Sequence, residues 1–192
     1  MKPSGTDSGL PDPEAALGAY LDTLLGMPSR ESAIASEAKA AEAWRRVLPL
    51  RTRHGRVLLP ESRVEAVMPA VEIEPAPLEA PFVGLLGHAG RRSVCVDLAA
   101  LLSTSSSVAR EAAEECRHAV LIGDGRWALL CEATEDATTL DPETLRWRQA
   151  ADGRRPWLVG VSHRLRSGLL DADELIRWLW RRLRSDGMSD AS

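Results

Sequence analysis

The chain has 192 residues, 44% of them apolar, which is enough for one core-bearing domain with appendages. Its apolar runs are short, the stretch MKPSGTDSGLPDPE has no signal-like region and no lipidation motif is present, so the cytoplasm is expected and membrane insertion is not. The formal charge of −4 is uneven, three basic against seven acidic groups in residues 1–43 and ten arginines against four acids in residues 144–184, so the C-terminal part fits an acidic protein surface and, less well, a nucleic acid.

Residues 1–13, rich in Pro, Gly, Ser and Asp, predict disorder. Over residues 14–25, Leu17, Tyr20, Leu21, Leu24 and Leu25 keep helical spacing until Gly26 and Pro28 stop it. This helix is a docking candidate through Leu17, Leu21 and Leu24, carried on an Ala/Glu-rich helical spacer at 30–43. Strand chemistry starts near Val47: LPLRT, a turn at Arg53-His54-Gly55, then RVLLP, with Pro49 tolerable only at an edge or bulge. VMPAVEIEPAPLEAP reads as extended. FVGLL and SVCVDL predict two buried strands around His88-Ala89-Gly90, with Val83, Leu85, Val94 and Val96 in the core, after which Asp97 starts the helical turn LAALL.

STSSS at 103–107 reads as a loop and VAREAAEECR as a modest helix. HAVLI, the turn Gly123-Asp124-Gly125 and RWALLCEA form a hairpin, because Asp-Gly accepts the positive φ of tight turns. A strand, turn and strand follow. The last element is a helix with Asp171 as N-cap, Glu174 at its third position and the stripe Leu175, Ile176, Leu179, Leu183.

One pattern is written twice. GRVLLPE at 55–61 returns as GRWALLCE at 125–132; PFVGLLGH from Pro81 returns as PWLVGVSH from Pro156; Asp97 and Asp171 each close an apolar strand. A copy of about fifty residues buries little on its own, so two small lobes packed together are expected, with a binding scaffold as the function they suit.

The sequence offers no catalytic, cofactor-binding or metal-binding residues, and an enzyme is not expected. Gly160-Val161-Ser162-His163 begins like a nucleophile elbow, but Arg164 replaces the final Gly. No phosphate-cradling Gly motif occurs. Asp171 and Asp173 are explained by capping, His54, His88, His118 and His163 are scattered, and Cys95, Cys116 and Cys131 lack C-x-x-C spacing. Among six Trp, Trp127, Trp178 and Trp180 suit packing. Trp147 between Arg146 and Arg148, and Trp157 after Arg154-Arg155-Pro156, have the composition of binding hot spots.

Read together, the span from Val47 to Leu183 resembles the CheW family of bacterial chemotaxis scaffold domains. FVGLLGHAGRRSVCVDL stands where that family has a Gly-apolar strand, an Asn-Leu-Arg-Gly turn and a Pro-Val-x-Asp-Leu strand. WALLCEATEDATTLDPETLRWR, RRPWLVGV and GLLDADELI are similar, in order, to the array-integration segment of the CheW-like ParP group. The resemblance implies a mainly β fold of two interlocked five-stranded SH3-like barrels, with an N-terminal helical extension and a C-terminal helix. It implies adhesion to the kinase CheA and to methyl-accepting chemoreceptors, with the polar organiser ParC as a further partner at the cell pole. The chain departs from the family at Ala89, where coupling proteins carry Arg, and at Val94, where they carry Pro. The expected organisation is a tail with its helix at 1–43, a two-lobed domain at 44–184 and a disordered tail at 185–192. An ordinary CheW coupling protein and a basic SH3-like RNA-binding module are the alternatives.

Overall fold

The structure, a computed structural model, describes residues 42, 44–103, 116–148 and 155–186. The chain divides into two units, Met1–Ala41 and Glu42–Ser192, and everything described belongs to the second. The expected helix at 14–25, its spacer and all but the last two residues of VAREAAEECR lie outside the described residues.

The fold is mainly β. The first hairpin pairs β1 (Arg46–Thr52) with β2 (Gly55–Pro60). Pro49 is accommodated because two two-residue strands, β9 (Ala133–Thr134) and β10 (Thr138–Thr139), meet β1 on either side of it and leave it opposite their break. Its carbonyl faces outward there, accepting the Glu135 N–H at 3.1 Å, and the lost N–H of Pro removes no ladder bond. The chain then builds β3 (Ala66–Pro69), the short β4 (Glu74–Pro75), β5 (Phe82–His88) and β6 (Arg91–Asp97), followed by helix α1 (Leu98–Leu102). The second hairpin is β7 (His118–Ile122) with β8 (Trp127–Cys131), and after β9 and β10 come β11 (Leu145–Trp147), β12 (Leu158–Ser162), β13 (Ser167–Leu170) and helix α2 (Ala172–Asp186).

The expected turns are in place. Gly123, Asp124 and Gly125 have φ of 64°, 57° and 68°, and Ala89-Gly90, at 48° and 75°, gives the double positive φ that matches the twist of a two-residue hairpin.

Strand pairing shows how the two lobes interlock, by an exchange of hairpins. One sheet runs β10, β1, β2, β13, β12, β11, with β9 also on β1; the other runs β3, β7, β8, β6, β5, β4. Each sheet therefore contains five strands longer than two residues, in keeping with two five-stranded barrels, but neither is built from one copy of the repeat. The hairpin of the first copy joins the later strands of the second through the parallel pair β2 and β13, and the hairpin of the second joins the later strands of the first through the parallel pair β8 and β6.

The two copies correspond in detail. The Asp97 N–H donates to the Pro81 carbonyl at 2.9 Å and the Asp171 N–H to the Trp157 carbonyl at 2.8 Å. Trp157 is thus the counterpart of Pro81, one residue away from the match that the two prolines suggest. Both following strands carry a bulge, between Phe82 and Gly84 and between Leu158 and Gly160. The expected core is corrected in part. Val96 is buried as expected, together with Phe82, Leu86 and Cys95, whereas Val83, Leu85 and Val94 are half-buried; the extra residue in β5 turns Phe82 and Leu86 into different apolar clusters.

Three apolar clusters result. One fills the interior of each sheet: Trp44, Val47, Leu58, Leu140, Leu145 and Leu169 in the first, and Leu86, Cys95, Ala119, Leu121, Ala128 and Leu130 in the second. The third joins the sheets through their other faces, with Leu50, Leu59, Val96, Ile122, Trp127, Leu129 and Leu170 closed over by Leu175 and Leu179 of α2. Strands β8 and β13 have inward residues on both faces because both faces are covered.

Trp157 belongs to this shared core. It is 1% exposed and among the largest fully buried side chains, so it is a packing residue and not the surface hot spot expected from its neighbours. The stiff Arg-Pro lead-in sets the ring inward, under the start of α2, instead of presenting it to a partner.

Asp97 and Asp171 cap the two helices, but in different surroundings. The Asp171 Oδ1 accepts the Glu174 N–H at 2.9 Å; the Glu174 carboxylate turns to Arg177, at 2.6 Å, because the Asp171 N–H is already used by Trp157. Asp97 is fully buried, its Oδ1 accepting from Ala99 and Ala100 at 2.8 and 3.2 Å while Oδ2 has no partner. Burial pushes its carboxyl above the ordinary aspartate range, against the downward pull of those two N–H groups. A folded-state pKa raised above the unfolded one means that stability falls as pH rises through that interval. Asp97→Asn keeps the capping oxygen and cannot ionise, so its melting temperature should gain on that of the parent chain as pH rises from about 4 toward neutrality. Asp97→Ala should lose about 1–2 kcal/mol with the cap. A difference between Asp97→Asn and parent that is flat with pH would refute the account.

Candidate functional site

Two surfaces merit attention, one found from sequence and one that sequence reasoning missed. The first is the outer strand β11. Leu145 points into the first cluster, and Trp147, on the same face, stands at its rim, 48% exposed and perpendicular to the buried Trp44 with centroids 5.7 Å apart. Across the ladder from Trp147 is Gly160, whose missing side chain lets β11 approach: a Cβ there would lie 3.2 Å from the Trp147 Cα and 2.5 Å from the Arg146 carbonyl oxygen. Arg146 is exposed and pairs with the exposed Val161. Arg148 is anchored, its N–H donating to Val159 at 2.8 Å and its guanidinium to the Leu158 carbonyl at 3.2 Å.

Of the other predicted residues, Arg155 does a structural job. Its guanidinium donates to the carbonyls of Leu102 and Ser103 at 2.7 and 3.0 Å, satisfying the C-terminal end of α1. Trp157 is core, as described. Arg154 and the helix residues Leu17, Leu21 and Leu24 lie outside the described residues. Trp147, Arg146 and Arg148 are therefore brought together; Trp157 and Arg155 are not with them.

The second surface is a cleft of about 770 Å³ lined by Arg91, Arg92 and Val94 from the start of β6, by Asp124, Arg126 and Trp127 from the β7–β8 turn, and by Trp180 and Leu183 from α2. Parallel pairing of β6 with β8 places both strand starts at one end, with Val94 opposite Trp127. Trp180, 36% exposed, stands perpendicular to the buried Trp127 at 5.3 Å. The three arginines are exposed. Arg92 reaches Glu74 at 3.4 Å, while Arg91 and Arg126 make no ion pair among the described residues. The cleft is an apolar floor under a ring of guanidinium groups, suited to grip and without an acid–base pair in its lining. Three stretches far apart in sequence build it, and no local pattern joins them.

The remaining chemistry is quiet. Burial pushes the Cys95 and Cys131 thiols up to about 12, so they stay protonated and inert. Among the described residues no group of three or more His, Cys, Asp or Glu could hold a metal ion, and no helix is long and apolar enough to cross a membrane.

No protein-family model matches the chain, and no curated protein matches it by sequence. Among solved structures it is similar to the scaffolding protein TtCheW from Thermoanaerobacter tengcongensis, with a TM-score of 0.52 and 11% identity over 66% of this chain and 86% of that one. The chain thus has the CheW fold, which the sequence resemblance implied.

Proposed function

We propose that this chain is a non-enzymatic chemotaxis scaffold that holds the histidine kinase CheA and chemoreceptor tips in one cytoplasmic assembly. In its finer form the proposal is a ParP-like role at the cell pole, with ParC as a further partner. The observation that carries it is the exchanged double barrel, a fold shared with a scaffolding protein, presenting two exposed Trp-and-Arg surfaces. The 89–90 turn favours the ParP-like form over an ordinary coupling protein. With Ala89 at φ 48° and Gly90 at 75°, the turn is tight and carries no arginine at the family position.

The test is capture of the chain from cells after mild crosslinking. CheA and receptors should co-purify, and binding should depend on salt far less than a nucleic-acid complex does. A chain that instead binds RNA, with log affinity falling steeply against log salt, is the basic SH3-like module and not a scaffold. Within this reading, Trp147→Ala should weaken capture of one partner by roughly 2 kcal/mol, as a hot spot does, while the half-exposed ring costs the fold less than about 1 kcal/mol. Unchanged capture by the Trp147→Ala chain removes β11 from the interface.

A further inference from the structure

We infer that the cleft between the β6 start, the β7–β8 turn and α2 is a docking groove for an acidic segment of a partner protein that carries an apolar anchor. Charge complementarity is the first argument. Arg91, Arg92 and Arg126 project from two adjacent turns around one mouth; the lining holds a single carboxylate, Asp124. Two of these guanidinium groups have no ion pair among the described residues, and the third has only the exposed Glu74 at 3.4 Å. Three exposed guanidinium groups against one lining carboxylate leave a local excess of positive charge on a chain of net charge −4, which attracts an anion. An acidic segment would do so, with bidentate forks fitted to its carboxylates.

The floor supplies the second argument. Trp180, Leu183 and Val94 are partly exposed, and Trp180 is held upright by its perpendicular contact with Trp127. An aromatic already held in one orientation loses little entropy on contact, which makes it a strong anchor point for a leucine-sized side chain. The cleft volume of about 770 Å³ admits a few such side chains.

RNA fits the same arginines less well. Stacking needs open ring faces, and Trp127 is 1% exposed, which leaves Trp180 alone; Asp124 would also face the phosphates. The inference rests on the scaffold reading for the kind of partner, a protein, and on the cleft alone for its chemistry.

The experiment uses the full chain and a fluorescein-labelled synthetic amphipathic peptide with Glu on one face and Leu on the other, read by anisotropy. The Glu→Gln version of that peptide and an oligouridine are run beside it. Binding of the acidic peptide should weaken roughly tenfold in the Arg91→Gln, Arg126→Gln double variant and roughly 30-fold in Trp180→Ala. The double variant touches only exposed groups, so its melting temperature should stay at the parent value and keep the test valid if Trp180→Ala disturbs the Trp127 contact. Equal binding of the Glu→Gln peptide, unchanged affinity in the arginine variant, or binding of the oligouridine in place of the peptide would each overturn the inference. Capture of CheA and receptors is scored separately. If capture persists while the peptide fails, the docking inference falls and the scaffold reading stands; if the peptide binds as expected while neither protein is captured, the groove stands and the chemotaxis assignment falls.

Discussion

Trp157→Ala should cost the domain roughly 3–5 kcal/mol of unfolding free energy, enough to leave a domain of ordinary stability largely unfolded at modest denaturant. The indole is 1% exposed at the junction of the two sheets and α2, and its carbonyl holds the Asp171 N–H from which that helix starts. Truncation leaves a cavity that neither sheet can close without breaking its own pairing. Partner binding should fall only in proportion to the folded population. A urea midpoint that hardly moves, with partner binding lost, would return Trp157 to the surface and overturn its place in the core.

Gly84→Ala and Gly160→Ala should each destabilise by about 1–3 kcal/mol, although alanine is the smallest possible addition. The new Cβ would sit 2.3 Å from the Glu74 carbonyl oxygen in one case and 2.5 Å from that of Arg146 in the other. Both obstacles are backbone, and neither can rotate away. The neighbouring outer strand has to move, β4 in the first variant and β11 in the second, so Gly160→Ala should also speed hydrogen exchange along β11 and loosen Trp147. Gly87→Ala is the control, since no atom lies within 4 Å of its Cβ position, and it should be nearly neutral. Equal midpoints for all three variants would show that the close approach is not a constraint.

Much of the fold was legible in the sequence wherever one residue type has one physical use. Asp-Gly and Ala-Gly marked turns that need positive φ, Asp97 and Asp171 marked helix starts, and the apolar stripe of α2 marked its buried face. The repeat was legible too. Its meaning was not, because similarity between two copies says that they are alike and says nothing about which hairpin pairs with which later strand. The bulge after Phe82 was equally silent, since an inserted residue leaves no composition signal, and with it Phe82 and Leu86 fall into different apolar clusters while Val83 and Leu85 stay half-buried. Of the candidate site, Trp147 with Arg146 and Arg148 was readable as an exposed cluster. Trp157 is not legible as core from its sequence neighbours, because arginines adjacent in sequence are not adjacent in space: the Arg155 guanidinium reaches back to the end of α1.

The parallel pairing of β2 with β13 also sets a timetable for synthesis. On the ribosome, β2 emerges roughly 110 residues before the strand that will lie beside it. The first barrel cannot close until β13 has emerged, and until then the apolar side chains of β1 and β2 lack that neighbouring strand. The second barrel, whose strands β3 to β8 are all made earlier, can assemble first and offer a surface on which the waiting hairpin settles. A stop codon just before β13 should therefore leave the first hairpin stranded and the product prone to aggregate, however complete the second sheet is.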